Sequence, residues 1–181
     1  LQDDCVTNED LVRAQRHMEE GSAALQSRLD AVLDDVEKMQ ATVIVEDTTW
    51  QVGPETELAN LYEAVEAMNR VSVRPGVTLT LQVADGAYTM DKPLNLNHPD
   101  GARIHILGNQ ESPSRVTLAF YNVEIGIELN KGHSIGLLSG MTLMGDHEST
   151  WGMMIWDQSS LSADNLVTQY WKHSGAYVGF N

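Results

Sequence analysis

Hydrophobic and polar positions change their period along this chain. Leu11, Gln15, Met18, Ser22, Leu25, Leu29, Val32, Val36 and Met39 follow one another in alternating steps of four and three. That spacing predicts a supercoiled helix seam used for oligomerisation, with Leu11, Met18, Leu25, Val32 and Met39 at d and the others at a. Gln15 and Ser22 at a lower stability but fix register, while Val12 and Leu33 at e widen the stripe toward more than two helices. Two strands and three are both compatible with this pattern. At 1.5 Å per residue the helix would span about 43 Å, the length of a stalk. The same stripe could instead lie on a globular core.

The segment "TVIVEDTTWQV" (42–52) is rich in β-branched residues and predicts a short strand or strand pair. Gly53 and Pro54 then predict the start of a second helix, with Glu55 and Glu57 placed at the positive end of its dipole. Leu58, Leu61, Val65 and Met68 follow helical spacing, and Asn69 and Arg70 mark the expected end. From residue 71 short apolar runs alternate with Gly, Asn and Asp turns. Strands are predicted at 78–83, 104–107, 116–120, 125–129, 143–144, 153–156, 166–168 and 176–180.

The last third repeats itself. "LSGMTLMGDHESTWG" (138–152) overlays "LSADNLVTQYWKHSG" (161–175) without a gap, at an offset of 23 residues. Gly126 before "IEL", Gly152 before "MMI" and Gly175 before "AYV" recur at spacings of 26 and 23. Periods in this range imply stacked solenoid coils, whose first turn needs an amphipathic cap, a role that suits the helix over 54–70. The expected organisation is a coiled-coil stalk over 1–41, short strands and a capping helix over 42–70, and a solenoid from 71 to 181. Its last strand, ending "YVGFN", would leave an open edge, so further turns are expected beyond it.

Residues 83–108, "VADGAYTMDKPLNLNHPDGARIHILG", resemble the opening turns of the right-handed parallel β-helix proteins of bacteriophage tail fibres and tail spikes. Ala84-Asp85-Gly86 with Tyr88, and Asn97-His98-Pro99-Asp100-Gly101 with Ile104, Ile106, Leu107 and Gly108, carry the resemblance. It implies a mainly β fold of the pectate-lyase-like type behind a trimeric stalk. It also implies a homotrimer on the virion, outside the cell, that docks on a tail or baseplate protein and meets a host-surface glycan. A polysaccharide-degrading lyase or glycoside hydrolase with its site beyond residue 181 is the enzymatic alternative, and a head fibre or decoration protein is another.

Charge narrows the partners further. With 26 acidic against 11 basic residues the formal charge is −15, which disfavours nucleic acid and anionic membranes. No apolar run reaches membrane-spanning length, and the single cysteine, Cys5, excludes an intramolecular disulfide. The two histidines of 84–108 lack a convergent third ligand, so they predict turn structure and neither a metal site nor a cofactor. Pro99-Asp100-Gly101 is expected to be a turn whose glycine takes positive φ. His105 should point away from Ile104 and Ile106. A loop between turns gathers Asp146, His147 and Glu148, and its two carboxylates could serve as an acid and base pair, but neighbours in one loop rarely have the separation this needs. No catalytic residue is therefore assigned. Trp151, Trp156, Tyr170 and Trp171 crowd into the last thirty-one residues and are the glycan-binding candidates, with filling of core or subunit gaps as the alternative.

Overall fold

Parallel pairing organises the chain from Thr42 onward. The computed structural model describes residues 42–179 and, before them, Gln15, His17, Met18, Gly21, Ser22, Leu25, Gln26, Arg28 and Leu29. The chain divides into two units after Ala41. In the second unit the strands are β1 (Thr42–Ile44), β2 (Thr48–Val52), β3 (Val71–Val73), β4 (Leu79–Val83), β5 (Gly86–Met90), β6 (Leu94–Asn95) and β7 (Ile104–Leu107). They continue as β8 (Val116–Phe120), β9 (Ile125–Leu129), β10 (Ser134–Met144), β11 (Trp151–Ile155), β12 (Ser160–Gln169) and β13 (Ser174–Val178). Between β2 and β3 lies the helix α1 (Leu61–Met68).

Three parallel sheets result. One has the order β2-β4-β7-β10-β8-β5 with β12 also on β10, another β13-β11-β9-β6, and the smallest is β1-β3. Alternation explains why these runs are strands: Leu79, Leu81 and Val83 are buried, while Thr80 and Gln82 between them are partly exposed. His105 does point away from Ile104 and Ile106, both fully buried. The inward residues form one core that includes Phe120, Ile127, Leu138 and Leu143. Strand β10 serves two neighbours, pairing β7 through Leu137–Ser139 and β8 through Thr142–Met144. Gly140, at φ +73°, makes the bend between those two stretches. One strand-pair register later Asn165 takes the same left-handed conformation, and its side chain donates to the Gln110 carbonyl at 2.7 Å.

The helix begins later than the Gly53-Pro54 signal predicted. Asn60 is its N-cap, accepting from the Glu63 N–H at 3.0 Å, while the Glu63 carboxylate reaches back to the Ala59 N–H at 2.9 Å. This reciprocal arrangement outcompetes the dipole preference of Glu55 and Glu57. Leu58 is drawn instead into a parallel bridge with Val52. Leu61, Ala64, Val65 and Met68 enter the common core. Tyr62 ties the helix to the β5–β6 turn, its hydroxyl 2.6 Å from the Lys92 carbonyl with the Lys92 ammonium 4.6 Å over its ring.

Two expectations about architecture are corrected. The solenoid is not closed: the ladders step by anything from 23 residues (Trp151 to Ser174) to 33 (Leu94 to Ile127), and β1-β3 stands as a separate pair. A fixed period identifies parallel neighbours, but closure also requires every turn to contribute to every ladder. The right-handed parallel β-helix is thus replaced by a mainly β fold of several parallel sheets with one helix in the second unit. Nor does the structure describe an N-terminal coiled-coil helix. Leu11, Val32, Val36 and Met39 lie outside the described residues. Gln15, Met18, Ser22, Leu25 and Leu29 are helical and exposed, Met18 at 72%. Heptad spacing specifies only a stripe on one helix, and the stripe becomes a seam only where other helices cover it.

Candidate functional site

In the stretch 84–108, His98 and Asp100 hold backbone, by a route that differs in part from the turn expected. His98 is buried; its Nδ1 accepts from the Asp100 N–H at 3.0 Å, so the proton lies on Nε2 and is donated to the Val71 carbonyl 3.1 Å away. Asp100 holds β3 through the Val73 N–H at 2.9 Å and pairs with Arg103 at 2.6 Å. Burial pushes its carboxyl up, but these partners outweigh that and hold it below the usual value. Gly101 does not take positive φ. It is required because a Cβ there would sit 1.8 Å from the Ser134 carbonyl oxygen, where the neighbouring strand passes. Among the described residues no three His, Cys, Asp or Glu side chains gather as a metal site.

The loop 145–150 is also a turn device. The Asp146 carboxylate accepts backbone N–H groups from Asn122 at 2.7 Å, Ser149 at 2.8 Å and Glu148 at 3.1 Å. Burial raises its pKa, yet these donors prevail and lower it to about 2. A carboxylate held ionised in this way has no proton to donate as a general acid. Because the folded pKa lies below the unfolded one, its stabilisation is complete above about pH 4 and is lost as pH falls toward 2. Melting curves of the wild type and of Asp146→Asn should therefore differ at pH 6 and converge near pH 2. Curves separated equally at both pH values would contradict this assignment.

The four aromatic candidates part company. Trp171 turns inward: its ring lies 5.7 Å from that of Phe120, and its indole N–H donates to the Leu143 carbonyl at 3.3 Å. Gly126, Gly145 and Gly152 make room for it, since a Cβ at any of them would approach the indole to 2.8–3.0 Å. Tyr170 sits in a left-handed turn beside His147, ring centroids 5.1 Å apart, away from the other two. Trp151 and Trp156 lie on one strand, at the start of β11 and just past its end. Trp151 stacks on His173 at 5.4 Å and meets Tyr177 at 5.3 Å. Trp156 is 37% exposed and donates its indole N–H to Glu128 at 3.3 Å.

Sheet register explains how these residues meet. Glu128, Met154 and Tyr177 lie opposite one another in β9, β11 and β13, on the face turned away from Ile127, Leu129, Met153 and Ile155. They form an outward row with Trp151 at one end and Trp156 at the other, about 17 Å apart along the strand at ~3.3 Å per residue. Glu128 is held in place, because its Oε1 also accepts from Asn130 Nδ2 at 2.8 Å. Asn130 is fixed in turn by Asn97 through bonds of 2.7 and 2.8 Å. Glu128 and Met154 were not among the sequence candidates. The signal was present: Glu128, Met154 and Tyr177 each stand two positions after a repeated glycine, Gly126, Gly152 or Gly175.

Such a face can stack on flat apolar surfaces and accept hydrogen bonds at one fixed carboxylate. Compared with known proteins, the chain matches no family model, no curated protein and no solved structure.

Proposed function

We propose that this protein is a structural and adhesive component of a viral fibre, part of a homotrimeric bacteriophage tail fibre or tail spike. It would attach to a tail or baseplate protein at one end and bind a host-surface glycan through the outer face of β9, β11 and β13. The observation that carries the adhesive role is the row from Trp151 through Tyr177 and Met154 to Glu128 and Trp156. These aromatic rings are half-buried or exposed, held by ring contacts and an indole hydrogen bond, and leave the core to Trp171 and Phe120. Sugar rings present apolar C–H faces that stack on such surfaces, with hydroxyls around their rims for the polar groups. The fibre setting rests on the resemblance of residues 83–108, and the charge of −15 agrees with a partner other than nucleic acid.

Trp151→Ala and Tyr177→Ala should each weaken binding to host-surface glycan about tenfold, the equivalent of roughly 1–1.5 kcal/mol of aromatic stacking. Isothermal titration on purified glycan reads this directly, and unchanged affinity in both variants would defeat the proposal. Sedimentation equilibrium tests the assembly: a trimer of the 20.0 kDa chain gives about 60 kDa. A single species at the chain mass would remove the trimer from the proposal.

A further inference from the structure

The fixed carboxylate in the row points to the class of sugar. We infer, resting on the glycan-binding reading above, that the site selects uncharged hexopyranose units with free hydroxyls and rejects sugars bearing carboxylates. Glu128 is the reason. Its Oε1 is committed to Asn130 Nδ2 at 2.8 Å and Trp156 Nε1 at 3.3 Å. Its Oε2 has no hydrogen-bond partner among the described residues and is not buried, so it is open to accept from a ligand. A pair of sugar hydroxyls supplies donors there, while the Trp156 face beside it takes the apolar side of the ring. A uronate or sialate would instead bring its own carboxylate to a fixed anion whose charge no cation among the described residues offsets through an ion pair. Like charges at that distance repel, and the negative field of the whole chain adds to the repulsion. His173 lies at the far end of the row, stacked on Trp151.

Rigidity makes this selection sharp. Asn97, Asn130 and Glu128 form one chain of hydrogen bonds from the turn after β6 to the outer face, and Asn130 is 8% exposed. The carboxylate therefore cannot swing away from an acidic sugar without breaking that chain.

A glycan array with matched pairs tests the inference: neutral hexose and N-acetylhexosamine oligosaccharides, and the same backbones carrying uronate or sialate. Wild type should bind the neutral set at least tenfold tighter. Glu128→Gln keeps the shape and the acceptor for Asn130 and Trp156 but removes the charge. It should lose about tenfold on neutral sugars, as expected for a hydrogen bond to a charged group, and narrow the gap to the acidic set. Raising the salt concentration should narrow the gap in the wild type as well. Equal or tighter binding of the acidic set by wild type would overturn the selectivity while leaving glycan binding intact. No binding to either set, with Trp151→Ala indistinguishable from wild type, would overturn the glycan reading itself. A Glu128→Gln gap as wide as that of wild type would show that the carboxylate is not the discriminating group.

Discussion

Replacing Gly101 with alanine is expected to lower the melting temperature by more than about 8 °C, or to prevent folding. A Cβ at this position lies 1.8 Å from the Ser134 carbonyl oxygen and 3.0 Å from its carbon. The obstacle is backbone, so no rotamer change can relieve it. Ser134 cannot retreat either, because it opens β10 and its hydroxyl bonds that of Ser160 on β12 at 2.8 Å. On the other side, Gly101 N–H donates to the His98 carbonyl at 3.1 Å, next to the buried imidazole that anchors β3. Moving either chain thus breaks pairing on both flanks. Overpacking against backbone, together with those losses, should cost about 4 kcal/mol. A chain of this size loses about 2–4 °C per kcal/mol, which gives a fall of roughly 8–16 °C. Gly76 is the control. It has φ +82° and no atom within 4 Å of a built Cβ, so its alanine variant meets only the left-handed penalty of ~1–2 kcal/mol. Equal melting of the two alanine variants would show that the close approach at Gly101 is not what holds this corner.

That glycine shows how far the sequence could be read. Pro99-Asp100-Gly101 is legible as a turn, but the use of the glycine depends on Ser134, thirty-three residues away. No local pattern reports such an approach. Strands with strong alternation were legible for the same local reason: 104–107, 116–120 and 125–129 match β7, β8 and β9. The first halves of β10 and β12, "SIGLLSG" and "SLSADN", have weak strand propensity. They are strands because each pairs with the other and β10 also pairs with β7.

The repeat was legible in part. Gly126, Gly152 and Gly175 occupy matching register positions in β9, β11 and β13. The overlay of Leu138 on Leu161 is displaced: Leu138 pairs Ala163, and Leu161 pairs Ile135. The cause is loop length. The loop after β10 (145–150) is two residues longer than the loop after β12 (170–173), so an offset of 25 at Met144 and Gln169 becomes 23 at Trp151 and Ser174. Loop 170–173 is also where Trp171 turns inward, while the longer one carries Asp146. The density of aromatic residues in the sequence marked the segment that holds both Trp151 and Trp171. It could not separate the ring that faces out from the ring that fills the space over Gly126 and Gly152.

Trp171→Ala should separate those two roles. Removing the indole leaves a void bounded by Phe120 and by three glycines with no side chains to refill it, and it removes the indole N–H bond to the Leu143 carbonyl. Truncation of a large aromatic at such a site costs about 3–4 kcal/mol, reduced somewhat because Trp171 is only half-buried. The melting temperature should fall by roughly 6–12 °C. Below that temperature glycan affinity should stay within about twofold of wild type, since Trp171 takes no part in the outward row. Trp151→Ala should do the reverse: about tenfold weaker binding, with melting within ~3 °C, because its ring contacts are with the exposed His173 and Tyr177. Trp171→Phe keeps a ring against Phe120 but loses the indole hydrogen bond, and its melting temperature should fall between wild type and the alanine variant. Differential scanning calorimetry and titration on the same three variants decide the matter. If Trp171→Ala loses binding while melting like wild type, the indole is a ligand contact and the inward assignment fails.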